Sequence, residues 1–209
     1  INATQRGKRA FELSFWHPFL HPFHPFCYHC PMNNITYREL TPTKIPDDLL
    51  AHYSRYQETN QIITYKEGQL SKRDLHYVDD WDADQLVEIA QELRECAQNG
   101  GFVLGAFQDG TCIGFSCVEP GFWGSRSQYR ELSMCQVSHE MRGKGIGREL
   151  FNRTCVVARS QGIEKFYISA HPAVETQGFY RSVGCVLAEE VNPEIVAREP
   201  YDIQLELTL

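Results

Sequence analysis

No stretch of this chain carries the roughly eighteen consecutive apolar residues that a helix needs to span a bilayer, so no transmembrane helix is expected. Excess basic charge is also missing. Lys and Arg number 20 against 27 Asp and Glu, a formal net charge of -7, which argues against a nucleic-acid binder. Residues 1–31 carry Arg6, Lys8 and Arg9 against Glu12, a balance of +2, leaving -9 on 32–209. A surface of that sign favours cationic partners such as amines. The apolar stretch near the start is broken by Glu12, His17 and Pro18, unlike a secretory signal. Cysteines are present, but not in a disulfide framework. Beyond Cys27 and Cys30, several fall inside apolar strand-like or helix-like runs, as buried thiols of a cytoplasmic protein do.

What is present changes character at Met32. Before it, the tripeptide HPF repeats at 17–19, 21–23 and 24–26, and proline at that density prevents helix and interrupts strand ladders. His17, His21, His24, Cys27, His29 and Cys30 are zinc-ligand types. A single CxxC beside irregular histidines nevertheless lacks the paired spacing of a zinc module. Residues 1–31 are therefore read as a His/Pro/aromatic-rich, poorly ordered extension, upstream sequence preceding a natural start at Met32. No metal site is expected.

From Met32 to 209 the texture is that of one α/β (α+β) domain. A strand is predicted at 35–40 and a helix at 46–56, with Pro and Asp at its start. Residues 57–80 read as a polar, variable segment. A helix follows at 83–98, with Leu86, Ile89, Ala90 and Leu93 on one face, closed by Gly100 and Gly101. The runs 102–108 and 112–119 are strands joined at Asp109-Gly110, a strong hairpin signal. A Gly-rich loop covers 120–127, and a strand 128–138. Next come a glycine loop, a helix over 145–160, a strand at 166–170 and a helix over 173–183. Strands at 185–190 and 202–209 finish the chain. This order implies a mixed, mostly antiparallel central sheet with one parallel βαβ unit and flanking helices.

The glycine loop, MRGKGIGREL at 141–150, is the feature that carries chemistry. A P-loop needs GxxxxGK followed by Ser or Thr, but Gly145 follows Lys144 and position 138 is Ser. A dinucleotide fingerprint needs GxGxxG; starting from Gly143 the sixth position is Arg148, and from Gly145 it is Leu150. Arg-x-x-Gly-x-Gly between strand and helix remains. Small residues let the backbone approach a ligand, and successive N–H groups at a helix N-terminus point at an anion. Arg142, Lys144 and Arg148 add charge, and a pyrophosphate would suit the site. An Arg-rich turn that merely caps a helix has the same composition.

With Val137 five residues before Arg142, the stretch VSHEMRGKGIGRELF resembles motif A of the GNAT superfamily, the acyl-CoA-dependent N-acyltransferases. GFYRSVGC at 178–185 resembles the family's second signature, with Cys185 in place of the usual Phe. The resemblance covers about 33–209. It implies a GNAT fold whose βαβ core binds acetyl-CoA as co-substrate through Val137, Arg142, Gly143, Lys144, Gly145, Ile146, Gly147 and Arg148. The loop would hold the pyrophosphate, and the Val137 backbone the pantetheine arm in an opening between two splayed strands.

The implied reaction is attack of a primary amine, on a small cationic molecule or on a protein or peptide, at the thioester carbonyl. An alkylammonium of pKa about 10 must first lose a proton, so a base is needed. Glu131 lies six residues before Val137, where the histone acetyltransferase branch places its catalytic glutamate. Glu119 is the reserve. Tyr180 matches the family's tyrosine acid and would protonate the leaving thiolate, while a backbone N–H near 135–137 could polarise the thioester oxygen. Cys135 reads as a buried strand thiol and not a nucleophile, for want of a His partner. His171, in SAHP, either borders the acceptor site or shapes the turn with Pro172. His139 reads as a loop residue. No nucleic-acid or membrane partner is expected, the location is expected to be cytoplasmic, and a homodimer is compatible with the sequence. The alternative function is a non-catalytic acyl-CoA-binding module.

Overall fold

The computed structural model describes residues 34–66 and 68–209. Readings that concern 1–31, the extension and its ligand-type residues among them, lie outside these. Strands β1 (Ile35–Leu40), β4 (Phe102–Gln108), β5 (Thr111–Val118), β6 (Tyr129–Val137), β7 (Lys165–Ala170), β8 (Val186–Leu187) and β9 (Ile203–Thr208) form a seven-stranded sheet, ordered β1-β4-β5-β6-β7-β9-β8. All neighbours are antiparallel except β6 and β7. β2 (Gln57–Lys66) and β3 (Gln69–Asp79) form a separate hairpin. The helices are α1 (Ala83–Gln98), α2 (Ile146–Ser160), α3 (Val174–Ser182) and α4 (Pro193–Arg198). None of the described helices is long and apolar enough to cross a membrane.

β4 shows why both sheet faces are covered. Its residues are buried almost throughout, so its alternation sorts side chains between two cores rather than between core and solvent. Phe102 and Leu104 join Leu132, Leu150, Phe151, Phe166, Ile168 and Tyr180 in one core. Val103 joins Leu40, Leu50, Tyr53, Leu93 and Phe115 in the other. α1 starts cleanly because the Asp82 carboxylate accepts from the Asp84 and Gln85 amides while Gln85 Oε1 accepts from the Asp82 amide. The β4–β5 turn is as the sequence demands: Asp109 and Gly110 both lie at positive φ, +50° and +85°, as a two-residue primed turn requires.

Three expectations are corrected. The helix expected at 46–56 does not form. A 3-10 turn at Pro42–Lys44 is followed by isolated i→i−3 bonds, Leu49 to Pro46, Ala51 to Asp48 and Tyr53 to Leu50. Burial of Leu50 and Tyr53 against the sheet decides this segment, and it is too short for propensity to impose a helix. The polar segment 57–80 is the hairpin. Thr59 and Ile63 of β2 are buried, β3 is exposed almost throughout, and so no alternating pattern marks either strand. The hairpin is tied to the body where the Ile63 amide donates to Pro172 O at 2.7 Å. Finally, the strand at 185–190 shrinks to Val186–Leu187, and α4 follows, capped by Asn192 with Pro193 in its first turn.

Candidate functional site

β6 and β7 pair in parallel only at Tyr129↔Lys165, Arg130↔Phe166 and Glu131↔Tyr167, after which they diverge. The closed end is locked. Buried Glu206 accepts from the Tyr129 hydroxyl and from Lys165 Nζ at 2.7 Å, and Trp123 stacks on Tyr129 at 4.7 Å between centroids. Just past the last pair, Ser133 is an extra residue in β6, between Cys117↔Met134 and Val118↔Leu132. Such a bulge bends a strand and re-aims its side chains. β6 stays on β5 as far as Gly114↔Val137, while β7 stays on β9 as far as Ala170↔Ile203. A strand edge inside the sheet is thereby left free on β6. The opening belongs to a cleft of about 880 Å³, a volume suited to a small-molecule or cofactor site. Its walls include Glu131, Cys135, Val137, the glycine loop, His171, Tyr180 and Asp202.

At the cleft's upper end the loop runs from β6 into α2. Gly143 and Gly145 sit at φ +74° and +82° with open space where a Cβ would be, so backbone conformation is what requires glycine there. Among the described residues the amides of 143–148 donate to no protein acceptor; the first bond of the helix is Glu149 N to Gly145 O at 3.1 Å. These amides lie at the positive end of a 15-residue helix, where an anion could accept from them.

Arg142 is placed differently. Its amide donates to His139 O, and its guanidinium donates from Nε to Val137 O (2.9 Å), from Nη1 to Tyr56 O (2.8 Å) and from Nη2 to Arg55 O (2.8 Å). It clamps the end of β6 to the segment entering β2. Arg148 donates to Ser182 O and Oγ at 3.0 and 2.9 Å, while exposed Lys144 lies 3.6 Å from Met141 Sδ. Val137 packs against Gly147, whose Cβ would stand 3.4 Å from Val137 Cγ2.

Deeper in the cleft, Tyr180 is buried, and burial first, with smaller contributions from Cys135, Cys185 and Asp202, holds its phenol well above its usual pKa. Its hydroxyl therefore keeps its proton at neutral pH. Burial pushes Cys135 up to about 12, which keeps it a thiol and unsuited to nucleophilic attack. Burial also raises Glu131, an effect that Arg198 opposes from 3.1 and 3.3 Å on its two oxygens. Glu119 lies outside this cleft, in an adjoining recess of about 460 Å³, where its Oε1 accepts from Ser133 Oγ at 2.6 Å.

His171 both borders the cleft and shapes the turn. Its Nδ1 accepts from the Ala173 amide, and its Nε2 lies 2.6 Å from the Tyr77 hydroxyl and 3.4 Å from Asp79. Burial lowers its pKa. His139 lies in the turn after β6, its ring edge-on to Tyr56 at 5.1 Å. Sequence reasoning missed Asp202, which lines the cleft where β9 begins; burial, helped by Glu199, raises its pKa from 3.8 to about 7. A single carboxylate before a strand gives no spacing signal.

A search of the curated proteins finds no match. Solved structures share the fold. Nourseothricin acetyltransferase aligns with TM-score 0.61 at 16% identity, over 83% of this chain and 98% of that one. A Bacillus anthracis (strain Ames) protein, provisionally named a streptothricin acetyltransferase and in complex with acetyl coenzyme A, aligns with TM-score 0.63 at 16% identity, over 84% and 98%. PaiA N-acetyltransferase from Thermoplasma acidophilum, in complex with coenzyme A, aligns with TM-score 0.53 at 15% identity, over 84% and 99%. The family model described as Acetyltransferase (GNAT) family matches residues 62–185, a span containing the forked strands, the glycine loop and Tyr180. The chain belongs to the GNAT acetyltransferase family.

Proposed function

We propose that residues 32–209 form an acetyltransferase domain that moves an acetyl group from acetyl-CoA to a primary amine by direct attack, with residues 1–31 an extension outside it. The observation that carries this reading is the fork between β6 and β7, with the amides of 143–148, which donate to no protein acceptor among the described residues, at its mouth. The pyrophosphate would accept from those amides and meet Lys144 and Arg148 at the rim. The pantetheine arm would run along the free edge of β6 past Val137, pairing as an added strand does. The thioester then lies beside Tyr180.

The chemistry follows from the groups around that point. The nitrogen attacks the carbonyl carbon, a backbone N–H of 135–137 faces the developing oxyanion, and the C–S bond breaks as Tyr180 gives its proton to the thiolate. Glu131 faces the same space, but Arg198 occupies both its oxygens and favours the anion. Its proposed part is to attract the acceptor's positive charge rather than to take its proton. Glu175, Glu199 and Asp202 line the cleft as well, and its arginines, Arg55, Arg142, Arg148 and Arg198, are bonded to protein groups, so a cationic acceptor is preferred over an anionic one. The free thiols of Cys96, Cys112, Cys117, Cys135, Cys155 and Cys185 support a cytoplasmic location.

The test is thiol release from acetyl-CoA with a panel of amines: alkylamines, polyamines and lysine peptides. Saturable release with at least one amine is expected. Tight CoA binding with no release from any acceptor points instead to the non-catalytic binding module.

A further inference from the structure

We propose that Asp202 is the proton acceptor for the incoming ammonium, paired with Tyr180 as proton donor across the open end of the fork. The inference rests on the acetyltransferase reading above and assigns the base within it. The candidates in the cleft are separated by what already holds them. Glu131 has a guanidinium on both oxygens. His171 is held at both ring nitrogens, Nδ1 by the Ala173 amide and Nε2 by Tyr77. Asp202 has no cation against it among the described residues, and the one side-chain hydrogen bond it accepts, from Ser169 Oγ, is long at 3.5 Å.

Its position is fixed by the sheet. Ile203 pairs with Ala170 at the last rung of β7, so Asp202 stands beside the opening where β7 has left β6. Tyr180 is near enough for the Asp202 charge to add to the rise of its pKa. Charged and titratable groups around the same space are Arg55 before β2, Tyr77 and Asp79 from β3, Glu131 from β6, His171 after β7, Glu175 and Tyr180 from α3, and Arg198 and Glu199 from α4. A nitrogen between Asp202 and the thioester has an acceptor on one side and a donor beyond the sulfur.

The proton balance closes. The ammonium gives one proton to the Asp202 carboxylate, and the freed lone pair forms the C–N bond. The tetrahedral intermediate expels the thiolate, which takes the Tyr180 proton. The second nitrogen proton returns to the tyrosinate, and Asp202 releases its proton to solvent. Ammonium and acetyl-CoA become amide, CoA thiol and one proton.

The experiment measures thiol release by the full chain against pH, from about pH 5 to about pH 9.5, with the amine that wild type turns over fastest. Wild-type kcat/KM is expected to rise along an acid limb with a midpoint near 7. Asp202→Asn is expected to lower the plateau about 10²–10⁴-fold and lose that limb, its residual rate climbing toward the amine's own pKa of about 10. Asp202→Glu should restore part of the rate. CoA affinity by calorimetry is expected to stay in place in both variants, and Asp202→Asn is expected to melt no lower than wild type. An Asp202→Asn protein that keeps the wild-type limb and a rate within about threefold overturns the assignment and leaves the acetyltransferase reading standing. Loss of CoA binding in step with the rate also overturns it, by making Asp202 structural. A wild type that binds CoA but transfers to no amine overturns both.

Discussion

Replacing Arg142 separates two roles that an arginine beside an anion cradle can have. In this structure the guanidinium donates to the carbonyls of Val137, Tyr56 and Arg55 at 2.8–2.9 Å. Hydrogen bonds from a charged donor contribute about 1.5–3 kcal/mol each, and an unpartnered buried carbonyl costs about 1–3 kcal/mol. Water reaches part of the vacated site, so Arg142→Ala is expected to cost about 3–5 kcal/mol of the ligand-free protein's stability. At about 2–4 °C per kcal/mol for a chain of this size, melting should fall by roughly 10 °C. Arg142→Lys keeps the charge but not the fork of donors and satisfies at most one or two of the carbonyls, so it should lose more than half as much. The assay is thermal unfolding without ligand, followed by acetyl-CoA titration at a temperature where every variant is folded. If both variants melt within about 2 °C of wild type while Ala alone weakens acetyl-CoA binding, Arg142 acts on the anion by charge and the clamp argument fails.

Gly145→Ala forces φ +82° on a residue with a Cβ, at about 1–2 kcal/mol, and should weaken acetyl-CoA at least about tenfold by turning the cradle amides; unchanged affinity would count against the cradle. Tyr180→Phe keeps the buried ring and removes the donor, so kcat should fall about 10²-fold or more with CoA affinity within about threefold, measured by thiol release and calorimetry. Asp202 also reports through stability. Its folded pKa of about 7 exceeds its ordinary 3.8, so the native state holds a proton that the unfolded state has lost between these values. Stability therefore falls as pH rises through that window, and Asp202→Asn should be the more stable protein at pH 8, by up to about 4 kcal/mol, and equal to wild type near pH 4. A denaturation gap that does not change with pH would contradict the raised pKa.

The parts legible in the sequence were those where local chemistry and packing agree. Asp109-Gly110 announces its turn by backbone preference alone, Asp82 and Gln85 mark the start of α1, and the glycines of 143–147 mark a helix entry that exposes amides. The hairpin β2–β3 was hidden because β3 buries almost nothing, leaving no period-2 signal. The segment 46–56 misled because Pro, Asp and Leu promise a helix while Leu50 and Tyr53 are fixed by the sheet beneath them. For α4 a signal did exist in Asn192-Pro193-Glu194, a cap followed by proline in the first turn. Arg142 was identified as part of the loop, but a sequence does not show which carbonyls a guanidinium will find. Asp202 is a single carboxylate whose significance comes from the register of β9 with β7, a long-range fact.

Amide resonances of the glycine loop test the central claim most directly. With the full chain labelled with nitrogen-15, acetyl-CoA is titrated while the amides of Gly143, Gly145, Ile146 and Gly147 are followed alongside those of the distant β4–β5 turn. Saturable downfield shifts and slowed hydrogen exchange are expected in the loop, absent from the turn and lost when pantetheine, which has no pyrophosphate, replaces the nucleotide. Saturable acetyl-CoA binding that leaves those loop amides where they were would contradict that claim.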